Sequence, residues 1–171
     1  MTVREIHTIA PLYDKNSVVL ILGSFPSVKS REGNFFYHHP QNRFWKVIAA
    51  VLGQQTPITT EQKRRLLHDN RIALWDVIKS CDIENSSDSS IKNVEVNDLS
   101  VILNAADIKA IFTNGGKSSR LYKKYCQNVT GIEAHPLPST SPANAGWSLE
   151  RLTKEWSIVK DFIFDKGLDN K

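Results

Sequence analysis

The stretch Val18-Val-Leu-Ile-Leu-Gly-Ser-Phe-Pro-Ser27 decides the fold. Its first five residues form a continuous apolar run with several β-branched side chains, which is typical of a strand buried in a parallel sheet. The run stops at Gly23, and the serines, phenylalanine and proline that follow predict a tight loop at the end of the strand. A buried strand that ends in such a loop indicates the beginning of an α/β domain.

Strand and helix patterns alternate along the rest of the chain. Residues 72–75, 108–112 and 131–137 are predicted to be three further strands. Helices are predicted over residues 41–52, from Thr59 or Thr60 to 68, from Asn97 or Asp98 to 104 and over 117–127, and Ser148 is predicted to cap a last helix. Five apolar residues of that last helix are expected to face inward: Leu149, Leu152, Trp156, Val159 and Phe162. The alternation predicts a three-layer αβα fold with a central, mainly parallel four-stranded sheet.

The chain is expected to form one domain over residues 1–171, since neither an internal repeat nor a domain boundary is visible. Residues 1–16 are interpreted as an N-terminal extension and residues 166–171 as a frayed tail. The polar, serine-rich stretch from 80 to 92 is predicted to be a long loop. In a parallel sheet the ligand lies off the carboxyl ends of the strands, which here are Gly23–Ser27, Asp76 and residues 113–116 and 138–144.

Composition excludes several classes of protein. Hydrophobic residues make up 40% and charged residues 23%, so a disordered or fibrous chain is excluded. The two cysteines, expected to be free thiols, are too few for a four-thiolate zinc site or an iron–sulfur cluster. Adjacent His38 and His39 make a poor metal pair, and neither a metal nor a cofactor is expected. No apolar stretch is long enough for a membrane helix and no secretory signal is visible, so a cytoplasmic protein without a membrane partner is expected.

Three familiar motifs of nucleotide-binding proteins and esterases are either incomplete or absent. Gly115-Gly-Lys-Ser118 resembles the end of a phosphate-binding loop, but Ile111 stands where that motif needs glycine. The first strand is not followed by a dinucleotide fingerprint, and the chain has no esterase nucleophile elbow. The net charge of +4 suits a polyanionic partner such as nucleic acid.

Three loop segments remain: Gly23-Ser-Phe-Pro-Ser27, Phe36-Tyr-His-His-Pro-Gln-Asn-Arg-Phe-Trp45 and Leu137-Pro-Ser-Thr-Ser-Pro-Ala-Asn144. Taken singly, each is compatible with an ordinary turn beside core aromatic residues. Taken together and in this order, they resemble the uracil-DNA glycosylase superfamily over nearly the whole chain. Residues 39–45 are similar to the mismatch-specific uracil/thymine glycosylases, whereas the first and third segments look more like the hypoxanthine-DNA (deoxyinosine) glycosylases.

Phe25 decides between these branches. It stands where the uracil and mismatch enzymes carry an Asp or Asn that positions water, and phenylalanine accepts no hydrogen bond. The hypoxanthine branch resembles this chain at the Phe25 position, and the catalytic asparagine of that branch corresponds to Asn42. The resemblance implies that the side-chain carbonyl of Asn42 orients the attacking water; the alternative is a helix cap.

The resemblance also implies roles in base binding. Tyr37 corresponds to an aromatic residue that stacks on the flipped base, with Phe36 as the substitute if the register differs; core packing is the alternative for both. The segment of Gly23, Ser24, Phe25, Pro26 and Ser27 is expected to stabilise the departing base through its backbone N–H groups, which Pro26 alone lacks. Asp76 is expected to accept a hydrogen bond from N1–H of hypoxanthine, or else to act as a cap or salt-bridge partner. Asn114 and His135 are weaker candidates.

For DNA binding, the resemblance implies contacts from the loop after the last strand, through Ser139, Thr140, Ser141, Pro142 and Asn144. Arg43, Lys46, Lys117, Arg120, Lys123 and Lys124 are expected to form a basic rim, the alternative for the lysines being a solvated helix face. The predicted function is that of a monomeric, monofunctional DNA glycosylase that excises hypoxanthine, with no Schiff-base step. A uracil or mismatched-thymine glycosylase is the first alternative, and a non-enzymatic nucleic-acid- or nucleotide-binding domain is the second.

Overall fold

The computed structural model describes residues 2–85 and 87–164. Its strands are β1 (Val3–Ile6), β2 (Val19–Gly23), β3 (Ile72–Asp76), β4 (Ile78–Ile83), β5 (Lys92–Val96), β6 (Ala110–Asn114) and β7 (His135–Leu137). Its helices are α1 (Val28–Gly33), α2 (Phe44–Leu52), α3 (Thr60–Asp69), α4 (Ser100–Leu103), α5 (Gly116–Tyr125), α6 (Gln127–Thr130), α7 (Leu149–Trp156) and α8 (Ile158–Ile163). The predicted frayed tail lies outside the described residues.

The main sheet has the strand order β3-β2-β6-β7, and every neighbouring pair is parallel. All five residues of β2 are buried, as expected of a strand covered on both faces. Helices flank this sheet, so the predicted αβα fold is confirmed. Because the strands are parallel and in register, Gly23 lies beside Asp76, and Asn114 lies beside Leu137 at the same edge.

The predicted long loop over residues 80–92 is shorter in the structure, because residues 80–83 belong to β4 and Lys92 begins β5. Strands β1, β4 and β5 form a second, antiparallel sheet in the order β1-β4-β5. Its polar residues are satisfied within the sheet, because the Arg4 guanidinium donates to Ser80 Oγ at 2.9 Å and to the Asn93 carbonyl at 2.6 Å. Because the polar side chains of these strands bond to one another, the strands are as rich in polar residues as a loop, and composition alone does not distinguish the two.

Helix boundaries differ from the predictions by a few residues. Helix α2 begins at Phe44 rather than at residue 41, and it ends at Gly53, whose φ of +66° suits glycine. Strand β7 is shorter than predicted, with residues 131–134 outside it. The last helical segment begins after Ser148, which accepts a hydrogen bond from the Arg151 amide. Leu149 is exposed, contrary to prediction, because it stands on the solvent side of the first turn.

The last two helices close the core. Leu152, Trp156 and Val159 are fully buried as predicted, and Phe162 is partly buried against the core. The Trp156 indole N–H donates to the Pro138 carbonyl at 2.9 Å, so α7 supports the loop that follows β7. Both cysteines are buried and free. Within residues 2–85 and 87–164, no helix is long and apolar enough to cross a bilayer.

Candidate functional site

A cavity of about 340 Å³ opens at the carboxyl ends of the main-sheet strands. This is the size of a small-molecule site and the place that a parallel sheet favours. Fourteen residues predicted from the sequence line it: Gly23, Ser24, Phe25, Pro26, Ser27, Phe36, Tyr37, Asn42, Asp76, Asn114, Ser139, Thr140, Ser141 and Pro142. Ser30, His39, Asp88 and Ala143 also line it. Asn144, Arg43, Lys117 and Arg120 do not.

Gly23 allows two polar groups to meet in this cavity. A Cβ atom at Gly23 would lie 2.4 Å from Asp76 Oδ1 and 2.9 Å from the Tyr37 hydroxyl oxygen. The Tyr37 ring stacks on Phe44 with centroids 4.1 Å apart, and its buried hydroxyl has no hydrogen-bond partner among the described residues. Burial and the nearby Asp76 carboxylate raise the pKa of Tyr37 far above its ordinary value, and an interaction with the Asn114 side chain opposes this shift. The hydroxyl therefore stays protonated and can donate.

Phe36 and Tyr37 have different environments. Phe36 is 2% exposed, and its carbonyl accepts a hydrogen bond from the Trp45 indole N–H at 3.2 Å. Its ring therefore belongs largely to the core, although its edge lines the cavity. Tyr37 has a φ of +51°, a backbone conformation that is uncommon outside glycine and often found at functional sites.

Asn42, Thr140 and Asn114 form one hydrogen-bond chain. Asn114 Nδ2 donates to Thr140 Oγ1 at 3.0 Å, and Thr140 Oγ1 donates to Asn42 Oδ1 at 2.9 Å. Asn42 Oδ1 also accepts from the Phe44 amide at 2.9 Å, and Asn114 Oδ1 accepts from the Thr140 amide at 3.0 Å. Each of these backbone N–H groups needs an oxygen as its acceptor. The Phe44 and Thr140 amides therefore fix which terminal atom of the Asn42 and Asn114 side chains is the oxygen.

These hydrogen bonds occupy the Asn42 carbonyl, which was predicted to orient the attacking water. Its oxygen already accepts two hydrogen bonds, which use both lone pairs. The Nδ2 amino group makes no hydrogen bond to the described residues, and Asn42 lines the cavity. Asn42 therefore bonds the first amide of α2, whose N-cap residue is Arg43, and its amino group is the part left to donate to a ligand.

Thr140 and Arg43 also differ from expectation. The Thr140 side chain is fully buried, so a direct contact with phosphate is excluded for its hydroxyl. The Arg43 guanidinium donates to the carbonyls of Ser141, Asn144 and Trp147, which makes it the clamp of this loop rather than part of a free basic rim. Sequence reasoning missed this role because the partners lie about one hundred residues away.

His7 is the principal residue that sequence reasoning missed. Its Nε2 atom lies 2.8 Å from Asp76 Oδ2, and the two side chains are 1% and 5% exposed. His7 follows β1, in a segment whose polar sequence gave no sign of a buried residue. Asp76 thus has a buried hydrogen-bond partner in His7 and also lines the cavity.

Asp88 is a second carboxyl group in the cavity. Ser24 Oγ donates to Asp88 Oδ1 at 3.3 Å. Partial desolvation raises the pKa of Asp88; the Ser24 hydrogen bond and the positive charges of Lys117 and Arg120 oppose this shift. These two cations are therefore near the mouth of the cavity, although they do not line it.

The remaining candidates lie elsewhere. The His135 ring stacks on Phe112, with centroids 5.1 Å apart, and packs against Phe162; it is half-buried and does not line the cavity. Lys46, Lys123 and Lys124 are exposed. Across residues 2–85 and 87–164, no group of three or more His, Cys, Asp or Glu side chains is arranged to hold a metal ion.

Comparison with known proteins gives a consistent result. The model of the uracil DNA glycosylase superfamily matches residues 10–163. The hypoxanthine DNA glycosylases of Methanosarcina acetivorans and Methanosarcina barkeri are each 35% identical to this chain, over 85% and 78% of its length and 92% and 85% of theirs. A solution NMR structure from M. acetivorans, provisionally assigned as a uracil DNA glycosylase, superposes with a TM-score of 0.78 at 34% identity, covering 91% of this chain and 96% of that one.

Proposed function

The chain belongs to the uracil DNA glycosylase superfamily, and on this premise we propose that it excises hypoxanthine from deoxyinosine in DNA. The observation that carries the proposal is the meeting of Asp76 and Asn42 in one cavity at the strand ends. Asp76 supplies an acceptor for N1–H of the base, and Asn42 supplies a donor on the cavity wall. The two Methanosarcina relatives named as hypoxanthine DNA glycosylases support this choice of base.

The N-glycosidic bond breaks with its electron pair leaving on the base, water captures the resulting oxocarbenium-like sugar, and the proton that the water loses goes to the departing base anion. The base must first leave the stack, because the bond is not accessible within a duplex. Asn42 Nδ2 donates to the oxygen of the attacking water and holds it beside the sugar, which leaves a lone pair of that water for attack. The amides between Gly23 and Ser27 stabilise the departing base.

DNA contacts come from the loop after β7 and from α5. Ser139, Ser141 and Pro142 line the cavity and are placed to touch the strand around the flipped nucleotide. No lysine is among the residues that line the cavity, which supports a monofunctional enzyme without a Schiff-base step. The protein acts as a single-domain monomer in the cytoplasm, bound to the nucleoid when it is on DNA.

The decisive experiment uses labelled oligonucleotides that contain inosine, uracil or a mismatched thymine, followed by alkaline cleavage at abasic sites. Excision of hypoxanthine supports the proposal. Excision of uracil alone would instead favour a uracil or mismatched-thymine glycosylase, the class that residues 39–45 resemble. Absence of cleavage at all three bases would show that the chain is a binding domain rather than a glycosylase.

Thr140→Val should lower both stability and activity. It removes the hydroxyl that bridges Asn42 and Asn114 and leaves their buried polar groups without a partner. We expect the free energy of unfolding to fall by about 1–3 kcal/mol and single-turnover cleavage to slow about tenfold, as Asn42 loses its support. Thr140→Ser is the matched control, since it keeps the hydroxyl, and wild-type cleavage by Thr140→Val would contradict this role.

Lys117 and Arg120 are expected to contribute to phosphate binding. Replacing either by alanine should weaken binding to damaged and undamaged duplexes alike, and should lower the slope of log K against log salt by about one. Lys109→Ala is the control, because Lys109 immediately precedes β6 and lies at the opposite end of the sheet from the cavity. An unchanged slope in both variants would remove α5 from the DNA interface.

A further inference from the structure

His7 and Asp76 form a buried pair whose orientation the surrounding residues fix. The His7 ring lies among three aromatic side chains, with centroid distances of 6.1 Å to Phe25, 6.1 Å to Phe36 and 6.5 Å to Trp75. These rings offer no acceptor for a ring N–H, so Asp76 is the polar partner of His7 Nε2. Burial of two such polar side chains is costly unless they are hydrogen-bonded, as His7 and Asp76 are to each other.

The hydrogen bonds define the tautomer of His7. The Ile9 amide donates to His7 Nδ1 at 3.2 Å, which requires a lone pair on Nδ1. The ring proton is therefore on Nε2, and Nε2–H donates to Asp76 Oδ2. His7 thus bonds one chosen oxygen of the carboxylate and prevents the group from turning.

The other oxygen, Oδ1, is left for a ligand. It accepts no hydrogen bond from the residues that the structure describes, and Asp76 lines the cavity. Close to it lies the buried Tyr37 hydroxyl, which makes no hydrogen bond of good geometry to those residues and has the Asn114 side chain as a neighbour. An acceptor and a donor therefore lie close together where Gly23 leaves room for them.

We propose that His7 is a positioning residue that holds Asp76 Oδ1 toward a ring N–H of the flipped base, beside the Tyr37 hydroxyl as donor to the adjacent carbonyl. The inference rests on the proposed function and specifies its recognition chemistry. Deamination replaces an exocyclic amino donor by a carbonyl and turns the neighbouring ring acceptor into N–H. Asp76 Oδ1 and the Tyr37 hydroxyl therefore match the N–H and carbonyl of a deaminated base. They do not match adenine, which has an amino donor in place of the carbonyl and a ring acceptor in place of the N–H.

The experiment compares single-turnover cleavage of an inosine duplex by wild type, His7→Leu and His7→Gln. Leucine fills the apolar site but offers no donor, so Asp76 loses its orientation, and cleavage should slow about 10- to 50-fold. Glutamine can donate from a similar position, so cleavage should stay within about fivefold of wild type. Thermal unfolding of each variant measures any separate effect on stability.

A double-mutant cycle separates positioning from a merely structural role. In an Asp76→Ala background, His7→Leu should cause no further loss of cleavage, because His7 acts through Asp76. Undiminished cleavage by His7→Leu would overturn the inference, and so would a further tenfold loss in the Asp76→Ala background. Failure of the wild type to cleave any of the three bases is a different result, which refutes the proposed function itself.

Discussion

Asn42→Ala is expected to slow excision of hypoxanthine about 100- to 1,000-fold, the range for loss of one preorganised donor at a reacting centre. The Nδ2 group is the part of Asn42 that is free to hold water in the cavity, and alanine removes it. Single-turnover cleavage of an inosine duplex measures the loss, and binding of the same duplex is expected to change little. Wild-type cleavage by this variant would remove Asn42 from the mechanism.

The alanine variant also loses two hydrogen bonds. Asn42 Oδ1 accepts from the Phe44 amide and from Thr140, so a loss of about 1–3 kcal/mol in the free energy of unfolding is expected beside the catalytic loss. Asn42→Asp is the matched control, because one carboxylate oxygen can accept both hydrogen bonds. The other oxygen replaces the donor in the cavity.

Asn42→Asp therefore distinguishes two mechanisms. If Asn42 acts by donating to water, this variant should fold like the wild type and cleave slowly. If an acceptor is what the reaction needs, as the sequence alone suggested, aspartate should cleave at least as fast as asparagine. Thermal unfolding and cleavage rates of the same preparations separate the two results, and rapid cleavage would contradict the donor role.

The location of the site was predictable because strand ends are local features. Apolar runs that stop at Gly23, at Asp76 and near Asn114 can be recognised one at a time. The rule that parallel strands bring their carboxyl ends to one edge then places those residues together. The superfamily resemblance added Asn42 and the loop around Thr140, which local patterns do not connect to the strands.

The atoms that the site presents were not predictable from the sequence. Whether Asn42 offers its oxygen or its nitrogen depends on Thr140, 98 residues away, and on the Phe44 amide. Arg43 looks like a DNA-binding cation until its three carbonyl partners are known. His7 lies in a polar N-terminal segment, and its burial depends on long-range packing against Phe25, Phe36 and Trp75.

Asp76→Asn is expected to lower cleavage of deoxyinosine about 100-fold, although the substitution is nearly isosteric. His7 Nε2–H requires an acceptor, so the amide oxygen of the new side chain will take the position of Oδ2. Its amino group then occupies the position of Oδ1, where it meets N1–H of hypoxanthine donor against donor. Adenine presents an acceptor at N1, so the ratio of deoxyinosine to deoxyadenosine cleavage should fall, as parallel assays on the two duplexes will show.

Adding His7→Leu to Asp76→Asn should partly reverse this loss. Without the His7 donor, the amide is free to rotate and to offer its oxygen to N1–H, so the double variant should cleave deoxyinosine several-fold faster than Asp76→Asn alone. A merely destabilising effect of His7→Leu would instead make the double variant slower than either single one. Because one outcome is faster cleavage and the other slower, this comparison decides whether the His7 Nε2 proton determines which atom of residue 76, a donor or an acceptor, faces the base.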